Sequence, residues 1–99
     1  MDTRLIALDI DGTIKASGMP VSDRVITAVR AGIESGLFIT LSTGRCYEGT
    51  ASIAAELGIR IPLILFGGAE LRDPVDGSLL ASASLPAESV ALALRIARR

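Results

Sequence analysis

The stretch "LDIDGTIK" (Leu8–Lys15) sets two aspartates one residue apart at the end of an apolar run, with Gly12 and Thr13 directly after. Like charges so close repel, and burying them is costly without a cation or a shared proton. The stretch therefore asks for a metal ion, an acid/base task, or both. It also decides how the chain begins to fold. "RLIALDI" (4–10) is the short apolar run of a strand buried on both faces, as strands of parallel sheets are. Residues 12–20 are rich in breakers and read as a loop or tight hairpin.

Downstream the same grammar repeats. Ser22 can cap a helix in which Val25, Ile26, Val29 and Ile33 recur at helical spacing, with Gly36 as its stop. "LFITL" (37–41) is a second buried strand with "STGR" (42–45) as its exit loop. A second helical pattern runs through Ile53, Ala54 and Leu57 to Gly58, and "IPLILF" (61–66) is a third buried strand closed by Gly67 and Gly68. The order β-α-β-α-β with short connections predicts an α/β fold with a three-stranded parallel sheet and right-handed crossovers. After that the pattern changes. A proline and the Asp76-Gly77 turn between short alternating segments predict a β-hairpin, and Pro86 opens a last helix with Val90, Leu94 and Ala97 on one face.

Ninety-nine residues, 49% of them hydrophobic but only three aromatic, allow one small domain with an aliphatic core. Ten basic and eleven acidic residues leave a net charge of −1 with no basic stripe, which argues against a nucleic-acid partner. The single cysteine, Cys46, rules out an internal disulfide, and the absence of histidine rules out a His/Cys zinc site. Charges appear early at Asp2, Arg4 and Asp9, so no signal-peptide core is expected, and no apolar run approaches the ~20 residues of a membrane span. A cytoplasmic protein is expected.

Ligands of open α/β sheets bind outside the carboxyl ends of the strands. Two polar clusters fall there: Asp9 with Asp11, and Ser42-Thr43-Gly44-Arg45. If their strands are neighbours, the carboxylates can hold a cation or attack an electrophile. The second cluster can hold an anion through Thr43 and backbone N–H groups near a helix N-terminus. Together they describe a phosphate site with a magnesium ion. Other motifs fail on spacing: there is no G-x-x-x-x-G-K-[ST], no G-x-G-x-x-G after a strand, and no EF-hand glycine and glutamate.

"DIDGT" after one apolar strand and "TGR" after the next resemble the haloacid dehalogenase (HAD) superfamily of phosphohydrolases. "VSDRVITAVRAGIESGLFITLSTGR" (21–45), followed by "GGAEL" (67–71) and an Asp-Gly hairpin, is similar to its Cof-type branch. The resemblance covers nearly the whole chain. It implies a Rossmann-like half-core over residues 1–69, with the hairpin and helix of 70–99 as the beginning of a cap. It further implies that Asp9 is the nucleophile and Asp11 the general acid/base. Thr43 and the Gly44 amide would hold the phosphate, with Arg45 a candidate beside them. Mg²⁺ would be bound by Asp9 and by Asp11 through its backbone carbonyl. The implied substrate is a small phosphorylated metabolite such as a sugar phosphate.

Members of the family also carry a later lysine and later aspartates beyond a cap domain. Lys15, the only lysine here, lies too near the first motif to be that residue. The chain is thus expected to hold the first half of such a site, and weak Mg²⁺ binding is expected with it. Two readings stand beside the enzyme: a non-catalytic phosphate- or partner-binding remnant, and a receiver-like domain phosphorylated on aspartate. Cys46 reads as filler, Asp73 and Asp76 as turn formers, Glu70 as a solvated hairpin residue, and "RIARR" (95–99) as a helix end suited to the helix dipole. The resemblance also implies a nucleophile strand flanked on its far side by strands that this chain lacks, and the open strand edge and apolar sheet faces then predict a homo-oligomer or marginal solubility.

Overall fold

The computed structural model describes Asp2 and residues 4–98. Strands β1 (Leu5–Leu8) and β2 (Phe38–Leu41) pair in parallel, Leu5 opposite Phe38 and Leu8 opposite Leu41, across helix α1 (Asp23–Glu34). The Ser22 hydroxyl accepts from the Val25 amide at 3.3 Å, capping α1 as its residue type predicts, and Gly36 turns the chain out of it. Gly32 lets α1 approach β2: a side-chain carbon there would lie 2.9 Å from Ile39 Cδ1. Helix α2 (Ala51–Leu57) packs beside α1 and ends at Gly58 in the left-handed conformation that favours glycine. Between the helices, Arg30 donates from Nε to the Glu56 carbonyl at 2.9 Å, satisfying an oxygen that the helix end leaves unpaired.

The third strand, β3 (Leu63–Leu65), corrects the expected sheet. Among the described residues the parallel sheet has two strands, and β3 belongs to a separate three-stranded sheet with β4 (Glu70–Arg72) and β5 (Leu79–Ser82), antiparallel throughout. It still lies alongside β2, joined by one parallel bridge, Ser42 to Ile64, with Thr43 N donating to Ile64 O at 3.0 Å. The ladder does not extend toward the start of β3, where Pro62 has no N–H to give and its carbonyl accepts from the Thr40 hydroxyl at 2.6 Å. The other edge of β3 pairs with β4.

The core sits where α1, α2, β2 and β3 meet: Val29, Ile39, Leu41, Leu57, Leu63 and Leu65 are buried, as is Ile10 just beyond β1. The expectation of a first strand buried on both faces does not hold. Leu5 is 60% exposed and Ala7 is exposed, because among the described residues only β2 pairs with β1 and little covers that face. The hairpin forms at Asp76-Gly77, with Asp73 and Asp76 accepting turn amides as turn formers do. Helix α3 (Ala87–Ala97) forms after Pro86, but its predicted apolar face is uncovered: Val90 and Leu94 are exposed. Arg99, the last arginine of "RIARR", lies outside the described residues.

Candidate active site

Register brings the two polar clusters together. Because Leu8 faces Leu41, Asp9 and Ser42 leave their strands side by side, and Ser42 N still donates to Leu8 O at 2.8 Å. The chain then folds around one carbonyl: Ile10 O accepts from the amides of Thr13, Ile14 and Lys15, and Gly12 N donates to Lys15 O at 2.9 Å. This winding buries Ile10 and leaves Asp9 and Asp11 exposed on either side of it. Thr13 donates from its hydroxyl to Asp9 Oδ2 at a long 3.4 Å, so among the described residues the Asp9 carboxylate is nearly uncommitted.

Asp11 is firmly held. Arg45 grips it with two bonds, Nε to Oδ2 at 2.8 Å and Nη2 to Oδ1 at 2.5 Å, the fork geometry that makes arginine–carboxylate pairs strong. The guanidinium holds the Asp11 carboxyl below the usual carboxylate range, with a lesser contribution from nearby Lys15. Asp11 in turn raises Arg45. Arg45 is itself steadied by donating from Nη1 to Gly49 O at 3.0 Å. One ion pair thus ties the loop after β1 to the loop after β2.

Thr43 is 4% exposed and fixed at each polar atom. Its N–H donates to Ile64 O, its carbonyl accepts from Gly67 N at 2.9 Å, and its Oγ1 accepts from Arg45 N at 3.1 Å. The hydroxyl proton remains to be given to a ligand. Gly44 is exposed, with open space where a side chain would stand. Gly67 can reach Thr43 because the end of β3 coils left-handed: Phe66, Gly67 and Gly68 all have positive φ. For Phe66 that conformation is strained, and such strain persists only where surrounding bonds enforce it. Here Phe66 N donates to Arg45 O at 3.1 Å.

Of the residues singled out by sequence, Asp11 and Arg45 meet directly, and Thr43 and Gly44 sit in the same loop as Arg45. No hydrogen bond or ion pair among the described residues joins Asp9 to Thr43, Gly44 or Arg45. The amides of this loop do not lie at a helix N-terminus as expected. The turn over residues 44–50 delays α2 to Ala51, which also separates Cys46 from the helix start. Glu70 is not a solvated hairpin residue either; it pairs with Arg72 at 2.9 Å. Sequence reasoning missed Tyr47, whose ring packs on Gly77 and whose hydroxyl donates to Pro74 O at 3.4 Å, fastening the hairpin turn to the site loop. A lone tyrosine after the "TGR" motif carries no signal of that contact.

Residues 6–99 match a protein-family model described as haloacid dehalogenase-like hydrolase. The chain belongs to that family. The HAD likeness extends to the Cof-type branch and to the amino-terminal portion of its members. An HMP-PP phosphatase of Yersinia enterocolitica is 34% identical over 92 residues, 93% of this chain and 33% of its own length. A 5-amino-6-(5-phospho-D-ribitylamino)uracil phosphatase of Bacillus subtilis is 30% identical over 80 residues, 79% of this chain and 30% of its own. Among solved structures, a HAD superfamily phosphatase of Bacteroides thetaiotaomicron superposes with a TM-score of 0.84 at 28% identity, covering 97% of this chain and 35% of that one. The chain therefore spans about a third of the length of the curated relatives it matches. The likeness to solved HAD structures shows a HAD-like α/β fold. Among the described residues no helix is long and apolar enough to cross a membrane.

Proposed function

We propose that this chain carries the phosphoryl-accepting half of a Mg²⁺-dependent phosphatase acting on a small phosphorylated metabolite, a sugar phosphate for example, in the cytoplasm. The observation that carries the reading is the forked Asp11–Arg45 pair, which brings the "DIDGT" and "STGR" loops to one end of the sheet. Residues 1–69 are read as core and 70–99 as the start of a cap. Membership of the HAD family removes support for a receiver-like domain.

In this reading Asp9 attacks the phosphorus. A carboxylate–phosphorus bond forms and the bond to the leaving oxygen breaks, with Asp11 giving that oxygen a proton. Water then attacks the aspartyl-phosphate, Asp11 takes the water's proton, and Asp9 leaves with its carboxylate restored. Thr43 and the Gly44 amide hold the phosphoryl oxygens. Both Asp11 oxygens are bonded to Arg45, which also holds that carboxyl below the usual carboxylate range, so the guanidinium must let go before Asp11 can take up from solvent the proton it gives to the leaving oxygen. An incoming phosphate dianion is a competing partner of the right geometry for that release.

The donors fit magnesium in kind but are few. Asp9 offers a nearly free carboxylate and Asp11 a backbone carbonyl, while no group of three His, Cys, Asp or Glu is found among the described residues. Such a set suits an ion that keeps several waters, held weakly. When bound, Mg²⁺ would offset the charge that gathers as carboxylate and phosphate oxygens approach. The same sparse set supports the second reading, a phosphate-binding remnant without turnover. A phosphate-release assay with Mg²⁺ and an aryl phosphate separates the two. Turnover far below ordinary enzyme rates of ~1–10³ per second, lost in Asp9→Asn, is expected. Equal release from both proteins would favour the remnant.

A further inference from the structure

Beside the carboxylates lies a cleft of about 430 Å³ that the proposed chemistry does not use, lined by Gly12, Thr13, Lys15, Met19, Pro20 and Ser22, among others. It is an open depression, with most of its lining residues exposed and only Ile14 buried at its floor. Thr13 forms the wall shared with the site, since its hydroxyl reaches Asp9. Met19 and Pro20 supply an apolar side, and the Ser22 hydroxyl is already spent on the α1 cap. Among the described residues Lys15 is the only charged one lining it, and it is half-buried. Its ammonium makes one long bond, 3.4 Å to the carbonyl of Ala16, and no ion pair with the described residues. The nearby Asp11 is already matched by the Arg45 fork. Lys15 lies near enough to Asp11 to lower its carboxyl slightly but forms no ion pair with it, and a partly buried ammonium left unpaired in this way favours an anion in the adjoining space.

We infer that this cleft takes the body of the substrate and that Lys15 reads a second anionic group on it, such as a carboxylate, distinct from the phosphoryl group held by Thr43 and Gly44. The preferred substrates are then phosphomonoesters with a small carbon skeleton and a second negative charge. The apolar side meets the skeleton, and Lys15 selects for the charge. The inference rests on the phosphate-site reading above, and its test keeps the two apart.

The test compares 2-phosphoglycolate, which carries a carboxylate, with ethyl phosphate, which does not. Binding of each to the full chain in Mg²⁺ is followed by amide chemical shifts at millimolar ligand, and the readout is the ratio of the two affinities. In the wild-type chain 2-phosphoglycolate is expected to bind more tightly. Lys15→Gln should cut the ratio about three- to tenfold, the scale of a partly exposed charge-assisted contact. Lys15→Arg should restore most of it, and unchanged spectra away from the cleft show that the variants fold. A ratio unaltered by Lys15→Gln, or a ratio that Lys15→Arg fails to restore, overturns the inference while leaving the phosphate site standing. Failure of both ligands to shift the Thr43 and Gly44 amides of the wild-type chain overturns the phosphate-site reading and the inference with it.

Discussion

At the scale of single residues, the site is governed by how four charges are shared. Among the described residues Asp9 is nearly free, Asp11 is taken by Arg45, and Lys15 lies near Asp11 without pairing with it. Because Arg45 lowers the folded-state pKa of Asp11, the pair stabilises the fold above the ordinary carboxylate pKa, and that contribution is lost as pH falls through the lowered value. Replacing Arg45 with Gln should return Asp11 toward ordinary carboxylate behaviour, read from its carboxyl carbon in an NMR titration. An Asp11 titration unmoved by Arg45→Gln would mean that the fork does not persist in solution. None of this pairing was legible in the sequence, since Asp11 and Arg45 are 34 residues apart. The candidates themselves were legible, because "DIDGT" and "STGR" are short motifs whose chemistry is local.

At the scale of elements, local signals were good guides and tertiary ones were not. Ser22, Gly58 and Asp76-Gly77 act where they stand, so the cap, the helix stop and the turn could be read directly. An apolar run, by contrast, does not say what will pack on it. "RLIALDI" and "IPLILF" look alike, yet Leu65 is fully buried while Leu5 is mostly exposed. Nor could the run show that β3 would give its free edge to β4. The same contrast predicts an uneven response to truncation. Leu65→Ala should cost about 2–5 kcal/mol, the range for a leucine lost from a packed core. Leu94→Ala on the exposed α3 should fall within about 0.5 kcal/mol of the parent. Urea melts of the two variants measure the difference, and equal losses would mean that α3 is packed in solution.

At the scale of the whole molecule, two parts of the surface are short of cover. Leu79, Leu80, Leu85, Leu92 and Ile96 are all exposed along β5 and α3, and β1 has an open edge among the described residues. Apolar surface and strand edges of that kind draw other chains. The 99-residue chain should therefore self-associate, with a mass by light scattering that rises with concentration and falls in a Leu92→Lys/Leu94→Glu double variant. A concentration-independent monomer would count against it. The central claim, that Asp9 accepts a phosphoryl group, is tested most directly by chemical trapping. The Asp11→Asn variant, in which the proposed mechanism leaves water poorly activated, is incubated with acetyl phosphate and Mg²⁺, reduced with borohydride and sequenced by mass spectrometry. An acyl phosphate on Asp9 is reduced to homoserine, so homoserine at position 9, dependent on both acetyl phosphate and Mg²⁺, is the predicted result. Homoserine at another aspartate, or none at position 9, would contradict it.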